Sequence, residues 1–448
     1  MEREAKQSQK ANIDFFRGGG EMGERIRSFN WENSPLGPTQ HWQGSLKTAV
    51  RIILDSRYPM FLWWGTEFIN LYNDAFIPVL GERHPDALGR PAPEIWSELW
   101  GTLGPQAKAV LESGESSWND QALLIMERHG YREETYFTFS YSPAPNDAGG
   151  VGGVFCACTE DTHRVLGERR LRTLRQLSTS TGSSASAQEA CKIAAATLEE
   201  RAHDVPFALF YLLGANEEEA RLVASAGLEP GVTHAPQIIP LLSGSDTIWP
   251  LELALTGSHQ ILHDQAWKNL PGGPWAEPVK TAAVLPLIDG GQTKPAGFLI
   301  VGASPLLAFD DDYQGFFDLL ASSVASSIAK ARALDDVRKR AKALAEIDRA
   351  KTVFFSNVAH ELETPLTSIL RSIEDAMAQD DRLAPEVRSD LYVAHRNGLR
   401  LLRLVNGILD LSHIEAGRMS AVYQLTDLAS LTRDLASVFR STIEKAGL

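Results

Sequence analysis

The sequence predicts an α+β multidomain chain. Two α/β domains come first, then a coiled-coil helix, then an antiparallel helical hairpin that pairs with a second copy as a dimeric four-helix bundle. Three observations lead there. Short apolar runs punctuated by Gly, Pro and Asn recur through residues 29–162 and again through 170–332, as strands do. After residue 333 the period changes: Leu334, Val337, Ala341 and Leu344 recur at gaps of three and four, with charged residues between them. The length of 448 residues, with 44% hydrophobic and 22% charged, suits roughly two to four globular domains.

Residues 1–28 read as a polar tail. In 29–162, segments 59–65 and 68–72 read as strands around a turn, and Asn73 is placed to cap the helical stretch that follows. Segments 136–142 and 151–158 supply late strands. The glycine-rich run 147–153 between them is hairpin-turn chemistry, since glycine supplies positive φ without steric cost. Phe61, Trp63, Trp64, Trp96, Trp100 and Trp118 form an aromatic set that reads as core rather than as a ligand pocket. In 170–332, residues 187–200 read as helix. Segments 207–213, 221–226, 281–288 and 296–303 read as strands, and 321–333 runs into the coiled-coil helix of 333–350.

That helical stripe continues through Val358, Leu362, Leu366, Ile369 and Ile373. It breaks at 379–385, where Pro385 suits the start of a second helix. Leu391, Ala394, Leu402, Val405 and Leu409 share a face of that second helix. A lone hairpin cannot bury both apolar faces, so a homodimer is expected.

The run Phe354-Phe355-Ser356-Asn357-Val358-Ala359-His360-Glu361-Leu362-Glu363-Thr364-Pro365-Leu366-Thr367 resembles the phosphoacceptor box of sensor histidine kinases. The resemblance makes His360 the phosphoacceptor. Imidazole suits the task because one ring nitrogen is nucleophilic near neutral pH while the other carries a proton. Glu361 is placed to take that proton as general base. Thr364 lies one helical turn beyond His360. The resemblance implies that it helps orient the water that hydrolyses the regulator's phosphoaspartate. Pro365 removes a backbone donor and bends the helix just past the site. The family usually carries Arg or Lys where this chain has Glu363, so electrostatic help toward phosphate is reduced. The run 410–417 is similar to the segment that closes the family's hairpin, with His413 in place of its usual cation and Gly417 as helix end. This delimits a dimerisation and phosphoacceptor domain at 351–418, with 419–448 as a lead-in to an ATP-binding domain.

The region 29–162 resembles a PAS domain, and 170–332 resembles a GAF domain. The sensor ligand is unknown: no cysteine stands in the setting that flavin or bilin sensors use, and His84 and His129 are unsupported as haem ligands. The family binds ATP with Mg2+ through an Asn-rich box and an Asp-x-Gly-x-Gly box, and neither follows residue 418. ATP is therefore expected as a substrate held by a domain not in this chain, and the chain alone is expected to be inactive. The expected function is that of a sensor histidine kinase that passes phosphate to a response-regulator receiver domain. The alternative is a non-catalytic truncated sensor or a dimeric histidine phosphotransfer protein phosphorylated in trans.

The remaining signals exclude more than they assign. The net charge of −14 argues against nucleic acid as a partner. No apolar run is long enough to span a bilayer, which favours a cytoplasmic protein without a membrane partner. Cys156, Cys158 and Cys191 read as reduced, packed thiols. No metal site is expected, and His395 and His413 read as ordinary helix residues.

Overall fold

The computed structural model describes residues 16–214, 216–241, 248–264, 267, 270–290, 292, 294–378, 384–415 and 424–445. It divides into two compact units, residues 1–335 and 336–448.

The first unit holds two antiparallel sheets. The first contains β1 (Met60–Trp64), β2 (Ile69–Tyr72), β3 (Ser117–Met126), β4 (Glu133–Pro145) and β5 (Val151–Glu160), in the order β2-β1-β5-β4-β3. Residues along β4 alternate. Phe137, Phe139 and Tyr141 are buried while Thr138, Ser140 and Ser142 are half-buried, the period of two that strand geometry imposes. Register aligns Phe61 with Cys156, and Cys156 with Tyr141, so the core face is built across three strands.

Helices α1 (Gly20–Ser28) and α2 (Gly44–Asp55) precede this sheet, and α3 (Trp100–Ser113) lies between β2 and β3. The expectation of a polar tail through residue 28 fails for its last part. Met22 and Ile26 of α1 are fully buried, and Asp74 accepts hydrogen bonds from the backbone N–H groups of Glu21 and Met22 at 3.0 and 2.7 Å. That carboxylate sits on the positive end of α1. Gly20 allows the approach, since a Cβ there would lie 1.8 Å from Asp74 Oδ2.

Asn73 does more than cap. Its Oδ1 accepts from the N–H groups of Phe76 and Met60, and its amide donates to the carbonyls of Ile53, Ser56 and Tyr58. One buried side chain thereby joins the end of α2 to β1 and to the turn after β2. The glycine-rich hairpin is also anchored. Asp147 accepts from the N–H groups of Gly44 and Ser45 at 2.9 and 2.8 Å, capping α2 from a distance in sequence of about a hundred residues.

Two helices connect the sheets, α4 (Thr162–Thr181) and α5 (Ala187–Glu199). The second sheet contains β6 (Ala208–Leu213), β7 (Glu219–Ala226), β8 (Ile238–Pro240), β9 (Gln260–His263), β10 (Thr281–Pro286) and β11 (Gly297–Gly302), in the order β8-β7-β6-β11-β10-β9. Every residue of β11 is buried. Leu299 and Val301 face a core completed by α5 and the head of the next helix, while Phe298 and Ile300 face a second core around Trp249. Burial on both faces explains why this strand reads as a continuous apolar run rather than an alternation.

Helix α6 spans Asp311–Met377, 67 residues, so the predicted coiled-coil and phosphoacceptor segments belong to one element. Helix α7 spans Pro385–Glu415, with proline first as expected, and α8 spans Leu428–Lys445. Most of the predicted break, 379–383, lies outside the described residues, as does Gly417. Within the second unit α6 and α7 lie side by side and antiparallel. His395 Nε2 is 2.8 Å from Glu374 Oε1, and a Cβ on Gly398 would lie 2.7 Å from Leu370 Cδ2. No described helix is long and apolar enough to cross a membrane.

Candidate phosphoacceptor site

The box occupies α6 without a glycine to loosen it, so side chains fall at helical spacing. Thr352, Ala359 and Leu370 are buried, and Phe355, Glu363 and Leu366 are half-buried along the same stripe. That stripe faces α7, where Leu391, His395, Gly398, Leu402 and Val405 are half-buried or buried. Of the predicted apolar stripes, Val358, Leu362 and Ile369 on α6 and Ala394 on α7 are exposed in the single chain. The helix carries two apolar stripes, and periodicity alone does not say which one meets α7. The side chains of Leu409 and His413 lie outside the described residues.

His360 follows the buried Ala359 and is exposed, as are Glu361, Thr364 and Pro365. The imidazole is thus open to an incoming group while its helix is held from behind. The hydroxyl of Thr364 donates to the main-chain carbonyl of His360 at 3.2 Å, the usual back-bond of a helical threonine. Helix α6 continues through Pro365. Proline has no N–H, so the carbonyl of Glu361 loses its donor one turn back. Glu363 is half-buried on the α7 side and does not share the exposed face of His360.

In the first sheet domain, Phe61, Trp63, Trp64 and Trp96 are buried as core and Trp100 is half-buried. Trp118 departs from that set, being 69% exposed. The aromatic core leaves a cavity of about 40 Å³ lined by Phe61, Trp63, Trp96, Tyr141 and Cys156, room for water-sized guests. Cys156, Cys158 and Cys191 are buried and free. Burial pushes the Cys156 thiol up, and pushes Cys191 up to about 12. His84 is held between the Tyr72 hydroxyl and Glu21 at 3.0 Å each, and His129 Nδ1 lies 2.6 Å from Glu133. Among the described residues no group of three or more His, Cys, Asp or Glu has metal-holding geometry.

Residues 350–417 match the family model of the His Kinase A (phospho-acceptor) domain, and residues 184–329 match that of the GAF domain. Hybrid signal transduction histidine kinase D of Dictyostelium discoideum is 38% identical over 105 residues, 23% of this chain and 7% of that protein. Sensor histidine kinase TmoS of Ectopseudomonas mendocina is 38% identical over 94 residues, 21% of this chain and 10% of that protein. The chain thus spans a tenth or less of the length of these curated relatives. Among solved structures, the GAF domain from an Acinetobacter phosphoenolpyruvate-protein phosphotransferase is 22% identical, covering 37% of this chain and 95% of that one at a TM-score of 0.28. A GAF domain and a phospho-acceptor domain are therefore present, and the curated relatives named here are histidine kinases.

Proposed function

We propose that this chain is the sensory and phosphoacceptor portion of a two-component sensor histidine kinase. The observation that carries the reading is the exposed His360, set on α6 inside a segment that matches the phospho-acceptor family. One imidazole nitrogen attacks the γ-phosphorus of ATP, an N–P bond forms, and the bond to the ADP oxygen breaks. The proton on the other ring nitrogen passes to Glu361. ATP with its Mg2+ is bound by residues other than these, in the same polypeptide or a partner. Phosphate then moves from His360 to an aspartate of a response-regulator receiver domain. The back-bonded Thr364 helps orient the water that hydrolyses the regulator's phosphoaspartate to inorganic phosphate, and Pro365 loosens the helix just past the site.

The first sheet domain is read as a PAS-type sensor, supported by its β2-β1-β5-β4-β3 antiparallel order. The hairpin is read as half of a homodimeric four-helix bundle, supported by the exposed Val358, Leu362 and Ile369 on α6 and Leu401, Leu404 and Ile408 on α7. A reaction fed by ATP belongs in the cytoplasm. Incubation of the purified chain with ATP, Mg2+ and an extract of its source cells tests the reading. An acid-labile, base-stable phosphate mapped to His360 and lost in His360→Gln supports it. No phosphate on that residue in an extract that phosphorylates a control histidine kinase contradicts it.

A further inference from the structure

Three charged side chains from three separate segments meet inside the first unit. Glu134 on β4 is 0% exposed at its side chain and Asp204, beyond α5, is 1% exposed. Arg169 on α4 lies between them. Its Nη1 donates to Glu134 Oε1 at 2.6 Å, while Nε and Nη2 donate to the two Asp204 oxygens at 2.7 and 2.8 Å. The planar guanidinium fork is suited to hold two carboxylates at once. Burial alone would pull the Arg169 pKa down, but the two carboxylates outweigh that and hold it above the ordinary arginine value.

The contact reaches α6. The backbone carbonyl of Asp204 accepts from the hydroxyl of Tyr313, in the first turn of that helix, and the same hydroxyl accepts from Ser304 N at 2.8 Å. The Arg170 guanidinium stands 4.2 Å over the Tyr313 ring, with its Nε 3.6 Å from Asp204. Beside the trio, Glu134 N donates to the carbonyl of Leu306 at 2.9 Å, a main-chain bond between the two sheet domains.

Withdrawing the guanidinium removes the main partner of two buried carboxylates. Among the described residues it leaves Glu134 only the Tyr136 hydroxyl at 2.8 Å and Asp204 only the Arg170 Nε at 3.6 Å, so its loss is costly. We propose that Arg169 is an ionic latch that locks the first sheet domain onto the GAF domain and the head of α6, and that opening it frees the first domain to turn. If α6 carries a phosphoacceptor as proposed above, latch opening is the step at which a signal in the first domain reaches that helix.

Spin labels at Ser116→Cys and Ser258→Cys, both exposed sites, read the distance between the two sheet domains. The native cysteines are buried, so only the introduced thiols react. Labelled chain is diluted with unlabelled chain to suppress distances between copies. With Arg169 present, one narrow distance distribution is expected. Arg169→Met should broaden it or add a second population. The triple variant E134Q/R169M/D204N, which keeps the packing without stranding charge, should broaden it too, and decides alone if Arg169→Met does not fold. A distribution that stays narrow in the triple variant, or one already broad with Arg169 in place, overturns the latch. The readout involves no phosphoryl chemistry, so its failure is distinct from failure of the kinase reading.

Discussion

The hydroxyl of Thr364 donates to the carbonyl oxygen of His360, 3.2 Å away, so the threonine is engaged with its own helix while the imidazole is exposed. On the proposed reading, phosphoacceptance and phosphatase chemistry are separable by mutation. Thr364→Ala should leave the rate of His360 phosphorylation within about twofold, because the hydroxyl is bonded to the main-chain carbonyl of His360 and has no part in the proposed transfer. It should slow regulator dephosphorylation by on the order of tenfold or more, through loss of an oriented water. Decay of phosphorylated regulator measures the second effect, and the helix itself should gain about 0.5 kcal/mol from the better helix former.

Glu361→Gln keeps size and helix propensity but removes the proton acceptor. Forward phosphorylation should fall by roughly a hundredfold or more. Stability should change by less than about 0.5 kcal/mol because the side chain is exposed. Single-turnover transfer from ATP, alongside thermal unfolding, separates chemistry from folding. An unchanged rate would remove Glu361 from the mechanism.

Asp147 makes a pH prediction. Its pKa is lowered from the ordinary aspartate value of 3.8, chiefly by the backbone N–H groups of Ser45 and Gly44 that donate to it. A carboxylate with a depressed folded-state pKa contributes stability that is complete above the unfolded value. That stability is lost as pH falls through the folded one. Thermal unfolding of the unsubstituted chain should therefore weaken below about pH 4. Asp147→Asn should lower the melting temperature at neutral pH and flatten that acid limb. Equal slopes in the two proteins would show that the cap contributes nothing.

The two apolar stripes of α6 predict opposite phenotypes. A Cβ at Gly398 would lie 2.7 Å from Leu370, so Gly398→Val should force α6 and α7 apart and lower the hairpin's melting temperature. Ile369 is 55% exposed, so Ile369→Asp should leave the helix pair intact and shift sedimentation equilibrium from dimer to monomer. A monomeric unsubstituted chain, or a dimer unmoved by Ile369→Asp, would contradict the four-helix bundle.

The helix that carries the proposed site was legible because the residues concerned are contiguous: His360, Glu361, Thr364 and Pro365 lie within six residues on one element. Strands β1, β2, β4, β5, β6, β7, β10 and β11 were legible from local apolar runs and turns, and Asn73 from its place before a helix, whereas β3, β8 and β9 were not read. Facing was not. Val358 and Ala359 are equally apolar neighbours, yet only Ala359 is buried against α7, and that choice depends on a partner helix. Trp118 reads like its aromatic neighbours but falls on the outward side of β3. Met22 and Ile26 sit in a polar stretch whose order comes from Asp74, far along the chain. Glu134, Arg169 and Asp204 are separated by 35 residues at each step, with no local pattern to join them.

The most direct test of the central claim is the site and chemistry of the phosphate. The chain is phosphorylated by a competent histidine-kinase ATP domain with ATP and Mg2+, then treated with acid and with base. The account predicts one acid-labile, base-stable phosphate per phosphorylated chain, on His360 and absent from His360→Gln. An acid-stable phosphate, or labelling that survives His360→Gln, would contradict it.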